Sequence, residues 1–330
     1  MKKNYWVMML CLLTGSFAGC SDDDNGPTWK ELLEKEQALI KDFVKDKNPR
    51  DSLILFTKIN KEEITDVAYV FGYSEDATKK KPKDGQFILV NYTDRNLNGT
   101  ILDDTRSSVI RGEKIEIPKY PLGGPVYESI ISDDDIYSRF LKYFPEGTSG
   151  SIILSSMLTS STYLYRQYKV EKIIEGSLLN YEYDLMNKFL DKKGFDKNNI
   201  IKVPETGNDT ITRIAKFGGE AGESILPNDS VTIHCNGYIL DEISGADLTN
   251  RQIFKMKEGE KETIKVSDFN EEGLRVGLLQ MKVGEKAYIL IPSGRGYGKG
   301  VVNTYYQYLI PPYATLMYEV EVFARKANDK

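Results

Sequence analysis

LLQMKVGEKAYILIPSGRGYGKGVVNTYYQYLIPPYATLMYEVEVF, residues 278–323, decides how this chain is read. Two runs in it suit a sheet. Residues 287–291 (AYILI) are apolar and β-prone. Residues 315–323 (TLMYEVEVF) alternate, with Leu316, Tyr318, Val320 and Val322 on one face. Pro292, the glycines Gly294, Gly296, Gly298 and Gly300, and Pro311-Pro312 supply turn chemistry between them. The pattern predicts two strands joined by a glycine-rich loop, with one face of the last strand in a core.

Working outward, residues 229–237 (DSVTIHCNG) read as a strand and residues 271–279 (EEGLRVGLL) as a short helix. With MKVGEK, ILIPSGRGYG and IPPYATLMYEVEV, these segments resemble, over residues 228–323, an FKBP-type peptidyl-prolyl cis-trans isomerase. In that family the early strand usually ends in His-Tyr-Thr-Gly, and the short helix closes the barrel. The resemblance implies an antiparallel sheet wrapped on a short helix, proline-containing polypeptide clients and no cofactor. It also assigns site residues. Tyr297 is the loop tyrosine whose hydroxyl binds a substrate carbonyl, and Asp247, in GADLTN, matches the Asp of the family's Phe-Asp pair. Tyr318 takes the place of the Phe on the last strand, and these three form the expected catalytic set. Ile310 before the double proline, Leu274 at the floor, Cys235 and Phe269 are the expected substrate-binding set. Cys235 stands where Tyr is usual, Ala246 where Phe is usual, and Leu274 where many members carry Trp. Three smaller walls imply a wider, shallower pocket, with Tyr305, Tyr306 and Tyr308 overhanging it.

The chemistry asks for no nucleophile and no metal. The barrier is the partial double bond of the Xaa-Pro amide, about 18–20 kcal/mol. The twisted transition state has lost resonance and its carbonyl is less polar, so an apolar, water-excluding pocket favours it over the planar ground state. Aromatic and aliphatic walls with one or two hydrogen-bond donors suffice.

Before this segment the chain looks duplicated. Residues 29–47 read as an amphipathic helix capped by Thr28, with Trp29, Leu32, Leu33, Ile40, Phe43 and Val44 on one face. A second helix follows Gly176, with Leu178, Leu179, Leu185, Met186, Phe189 and Leu190 on one face and Gly194 as its natural end. Glu36, Leu39, Ile40, Phe43, Val44 and Lys47 match Glu182, Leu185, Met186, Phe189, Leu190 and Lys193, each 146 residues later. GQFILVNYT (85–93) falls opposite DSVTIHCNG, and FLKYFPEGTSGSIILSS (140–156) opposite LLQMKVGEKAYILIPS. The expected fold class is α+β: two FKBP-like antiparallel sheets, each wrapped on a short helix and preceded by an amphipathic one. The expected units are a degenerate copy at 28–176, a linking helix at 177–198 and an isomerase domain at 199–330. The first copy has MLTSST (157–162) in place of the tyrosine loop, so activity is assigned to residues 199–330 alone.

Of 330 residues, 40% are hydrophobic and 28% charged, and the net charge of −5 comes with no basic stripe, which excludes a nucleic-acid partner. Lys2-Lys3, the apolar run 5–13 and Phe17-Ala18-Gly19-Cys20 resemble a bacterial lipoprotein signal, cut after residue 19 and lipidated at Cys20. An ordinary signal peptide is the other reading. Residues 20–27 then form a tether, and SDDD (21–24) is either a solvated spacer or a sorting signal to the outer surface. The implied place is the cell envelope, on the outer membrane of a Gram-negative bacterium, with the lipid as sole membrane contact. Cys235 is then left without a disulfide partner. The single His, His234, in a strand pattern beside one thiol argues against a zinc site. GRGYGKG lacks the helix that a phosphate loop requires. An isomerase and a non-catalytic binding or scaffold lipoprotein both remain open.

Overall fold

A computed structural model describes residues 27–47, 49, 51–59, 62–73, 76, 78–105, 124–129, 136–156, 163–207, 209–242, 248–304 and 308–327. Cys20, residues 132–135, residues 157–162, Ala246, Asp247, Tyr305 and Tyr306 lie outside the described residues.

The first half begins with α1 (Trp29–Lys45). It continues with β1 (Asp51–Ile59), β2 (Glu62–Phe71), β3 (Phe87–Arg95), β4 (Ile101–Asp104), β5 (Val126–Ser129), α2 (Ile136–Leu141), β6 (Ser149–Leu154) and β7 (Leu164–Ile173). The second half begins with α3 (Leu178–Lys192), followed by β8 (Ile201–Pro204), β9 (Ile211–Gly218), β10 (Ser230–Glu242), β11 (Leu248–Lys255) and β12 (Glu262–Lys265). It ends with α4 (Glu272–Leu278), β13 (Lys286–Ile291), the short pair β14 (Val301–Val302) and β15 (Tyr308–Ile310), and β16 (Thr315–Lys326).

The two large sheets have one topology. The first runs β1-β2-β6-β7-β3-β4 with β5 paired to β3, and the second runs β8-β9-β13-β16-β10-β11 with β12 paired to β10. Every pairing within them is antiparallel. The short helix enters each sheet at the same place in chain order, before the penultimate long strand. The duplication visible in the sequence is therefore a duplication of fold.

Each sheet is covered on both faces. In the second, the inward face of β10, β13 and β16 packs on Leu274 and Leu278 of α4. Two glycines allow that close approach. A Cβ on Gly273 would stand 2.2 Å from Ile291, and one on Gly277 2.5 Å from Ile289. On the outward face Met186, Phe189 and Leu190 of α3 bury Ala215, Leu240, Leu290 and Met317. On the first sheet, Ile40 and Val44 of α1 likewise bury Phe71 and Ile153. The alternation in 315–323 separates these two cores: Leu316, Tyr318, Val320 and Val322 face inward, Met317 outward.

The helix ends follow local chemistry. Thr28 and Glu31 make a reciprocal capping box on α1. Ser177 caps α3, and Gly194 ends it at φ +75°, where its N–H reaches Asp191 O. Leu185 is covered by Leu89, Tyr127 and Ile174 of the first unit, whereas its repeat mate Leu39 is 48% exposed. The two units thus meet through α3. The loop 301–310 corrects one expectation. Tyr308 does not overhang the pocket; it packs against the core of the first unit. No described helix is long and apolar enough to cross a membrane.

Candidate functional site

The site lies where α4, the middle of β10, the first half of β16 and the loop after β13 converge. Cys235, Leu274, Ile310 and Tyr318 are buried in one cluster, with Val266 beside them and Phe269, Tyr297, Ile253 and Met256 packed against it. Six of the seven residues expected to form the site are thus brought together. The seventh, Asp247, lies outside the described residues. Val266 joins this core at 0% exposure.

The loop that presents Tyr297 is held from several sides. Gly296 and Gly298 N–H donate to Ser293 O, and Tyr313 N–H donates to Gly298 O at 2.7 Å. Arg295, 3% exposed, donates to Val203 O at 2.6 Å and to Glu272 Oε1 at 2.8 Å. Gly300 takes φ +90°, and a Cβ there would meet Ile310 O at 2.6 Å, so only glycine lets the loop close against the Ile-Pro-Pro turn. Tyr313, at φ +60°, packs its ring edge-on against Phe87 of the first unit, centroids 5.1 Å apart.

Glu271 was not expected in this site. It precedes α4, is 7% exposed, and accepts a hydrogen bond of 2.6 Å from Tyr318 Oη. The Tyr297 hydroxyl lies beside the same carboxylate and beside the Tyr318 hydroxyl, close enough to feel both. Burial first, then the Glu271 carboxylate, hold both phenols protonated far above their ordinary range. The proposed carbonyl donor is therefore always a donor, but its resting partner is a carboxylate. Sequence reading overlooked Glu271 because an acid at a helix start is ordinarily a dipole or capping choice.

Cys235 is free and buried, and its backbone N–H points at Met256 Sδ, 3.1 Å away. Burial pushes its thiol up, with Glu271 adding to the effect, so it is a wall and not a nucleophile. Gly237, further along β10, lets Phe254 close in beside the Tyr318 ring. A Cβ there would stand 2.5 Å from Phe254 and 3.1 Å from the Tyr318 ring. His234 turns to the surface, its Nδ1 2.8 Å from Glu260 O. No group of three or more His, Cys, Asp or Glu among the described residues is arranged to hold a metal.

The first unit shows what replaced this site. A register shift falls at Leu89/Val90 in the β3–β7 pairing and at Thr232/Ile233 in the β10–β16 pairing. Counting from these shifts places Tyr92 opposite Cys235, Asp94 opposite Gly237 and Arg166 opposite Tyr318. Arg166 makes a bidentate bond to Asp94 at 2.5 and 2.7 Å and lies 4.0 Å over the Tyr92 ring. A largely buried ion pair thus stands where the second unit has Gly237 and Tyr318.

An antiparallel sheet wrapped on a short helix, with a loop tyrosine packed against its apolar core, is the architecture that the resemblance implied. Residues 222–323 match the family described as FKBP-type peptidyl-prolyl cis-trans isomerase, and this part of the chain is an FKBP-type domain. The peptidyl-prolyl cis-trans isomerase FKBP4 of Rattus norvegicus is 29% identical over 130 residues, covering 39% of this chain and 26% of that protein. The Homo sapiens FKBP4 matches to the same extent. The chain thus spans about a quarter of the length of these relatives. Among solved structures, a peptidyl-prolyl cis-trans isomerase from Pseudomonas syringae pv. tomato aligns at 17% identity and TM-score 0.35, covering 47% of this chain and 99% of that one. The three FKBP domains of wheat FKBP73 align at 15% identity and TM-score 0.27, covering 79% of this chain and 95% of that one.

Proposed function

We propose that the C-terminal unit isomerises Xaa-Pro bonds in polypeptide clients. The observation that carries this reading is the half-buried Tyr297 packed against the apolar core that holds Leu274, Cys235, Ile310 and Tyr318. A proline ring placed among those walls leaves water, and the twisted, less polar amide is favoured there. Tyr297 would leave Glu271 to donate to a substrate carbonyl. The reaction uses no cofactor, and the first unit, closed by Arg166 and Asp94, takes no part in the chemistry.

The surroundings belong to the same proposal. Residues 1–19 are a cleaved signal, Cys20 carries the lipid, and residues 20–27 tether the two units, 28–176 and 199–330 with the helix 177–198 between them. The place is the envelope of a Gram-negative bacterium, on the outer membrane at its periplasmic or surface face, with no nucleic-acid partner.

A second reading has its own observation. Glu271 takes the Tyr318 hydroxyl and its charge bears on that of Tyr297, which favours a binding or scaffold module that kept the fold and lost turnover. Exchange NMR on an Ala-Xaa-Pro-Phe peptide separates the two. The full chain should accelerate isomerisation. Tyr297→Phe should slow it about fivefold, the loss of roughly 1 kcal/mol of hydrogen bonding, and Tyr297→Ala should cost more. A full chain with no activity would select the scaffold reading.

A further inference from the structure

One carboxylate outside the family-matched segment reaches the neck of the site loop. Between β13 and β16 the chain makes a long excursion, residues 293–314, that carries both Tyr297 and Ile310. Glu182, on α3, is 2% exposed. Its Oε1 accepts from Ser293 N–H at 2.7 Å and from Thr315 Oγ1 at 3.2 Å. Ser293 opens the excursion and Thr315 is the first residue after it. A single oxygen therefore ties both ends together. Ser293 O in turn accepts from Gly296 and Gly298, on either side of Tyr297.

The first unit repeats the arrangement. Glu36, the repeat mate of Glu182, accepts from Ser156 N–H at 3.0 Å and from Ser156 Oγ at 2.6 Å. Ser156 follows β6 as Ser293 follows β13. The β3–β7 register that places Arg166 opposite Tyr318 places Tyr163 opposite Thr315, and Tyr163 lies close enough to feel the Glu36 charge. The near tie of the clamp is thus a property of the repeat: the glutamate of the helix preceding each sheet holds the serine that opens the excursion between its last two long strands.

We infer that Glu182 is a positioning residue for the isomerase site, closing the neck of the loop that presents Tyr297 and Ile310. The inference rests on the isomerase reading for its consequence in rate, but not for the clamp itself.

Two readouts on the full chain keep these apart. The first is kcat and KM on the Ala-Xaa-Pro-Phe peptide. The second is amide hydrogen exchange, followed segment by segment. Glu182→Ala should lower kcat/KM about tenfold, the scale of one lost hydrogen bond to a charged acceptor, and should raise exchange selectively at 293–300. Glu182→Gln keeps an acceptor oxygen at the same reach and should stay within about twofold of the parent. Thr315→Val removes only the far tie and should fall between them, with selective exchange at 308–316. Parent-like rates and exchange in Glu182→Ala would overturn the inference, as would equal losses in the Ala and Gln variants. If Glu182→Ala exchanges everywhere because it unfolds, Thr315→Val decides, and parent-like behaviour there overturns the clamp. An inactive parent would sink the isomerase reading while the exchange data still judged the clamp.

Discussion

Replacing Glu182 by Gln should stabilise the protein at neutral and alkaline pH and leave it little changed in acid. Burial is the largest influence on this carboxyl and raises its pKa from 4.5 to about 7, against the opposing hydrogen bonds from Ser293 and Thr315. A native pKa above the unfolded one means that the folded state holds the proton more tightly. The contribution is complete below about pH 4.5 and is lost as pH rises to about 7. At roughly 1.4 kcal/mol per unit, the loss over that window is about 3 kcal/mol. Gln has no such window and still offers the oxygen that Ser293 and Thr315 need. The neighbouring titratable groups that feel Glu182, Tyr127 and Tyr183, are themselves raised and stay neutral through this range. Urea unfolding of the parent and the Gln variant at pH 5 and pH 8 measures the effect. The stability difference should grow towards alkaline pH, approaching about 3 kcal/mol. A difference independent of pH would mean that Glu182 is ionised throughout, and the burial argument would fail.

A thiol probe should label Cys235 slowly in the native state and quickly in denaturant, because the side chain is 4% exposed; rapid native labelling would remove it from the pocket wall. Gly300→Ala should destabilise the site loop by about 1–3 kcal/mol and depress kcat/KM, since the added carbon meets backbone at 2.6 Å; a parent-like melting curve and rate would tell against the loop geometry. A fragment of residues 177–330 should fold, whereas 199–330 should be far less stable and should not match the full chain. The shorter fragment strips α3 from Ala215, Leu240, Leu290 and Met317, and circular dichroism melts of the two would decide. Cys20→Ser should release the protein from the membrane fraction, and retention at high salt would place the anchor elsewhere.

The fragment prediction revises the expectation that residues 199–330 suffice, and the reason is instructive. The spacing of Met186, Phe189 and Leu190 announced an apolar helix face, but spacing names no partner. Only the fold shows that this face covers the outward side of the second sheet, which makes α3 part of that unit's core.

Local signals were legible wherever adjacent residues determine the outcome. The alternation of Leu316, Tyr318, Val320 and Val322 declared the inward face of the last strand. Thr28 and Gly194 declared helix ends, and Gly-Tyr-Gly with Ile-Pro-Pro declared the loop after β13. The 146-residue offset between the helices declared the duplication, which the matching sheet orders establish as one of fold. Tertiary structure decided what depends on residues far apart in sequence. The edge strand β8 and its neighbour β9 carry Lys202, Arg213 and Lys216, so their periodicity is weak, and the pairing of β9 with β13 and of β8 with β9 defines them. Glu271 became a site residue only when the fold brought Tyr297 and Tyr318 to it. Arg166 and Asp94 are 72 positions apart, and their closing of the first pocket emerges from strand register. Glu182 and Ser293 are 111 positions apart, so helical spacing puts the glutamate on the apolar face of α3 but only the fold supplies its partner. Strand and turn preferences act over a few residues, whereas burial of a charge is set by whatever the folded chain places around it.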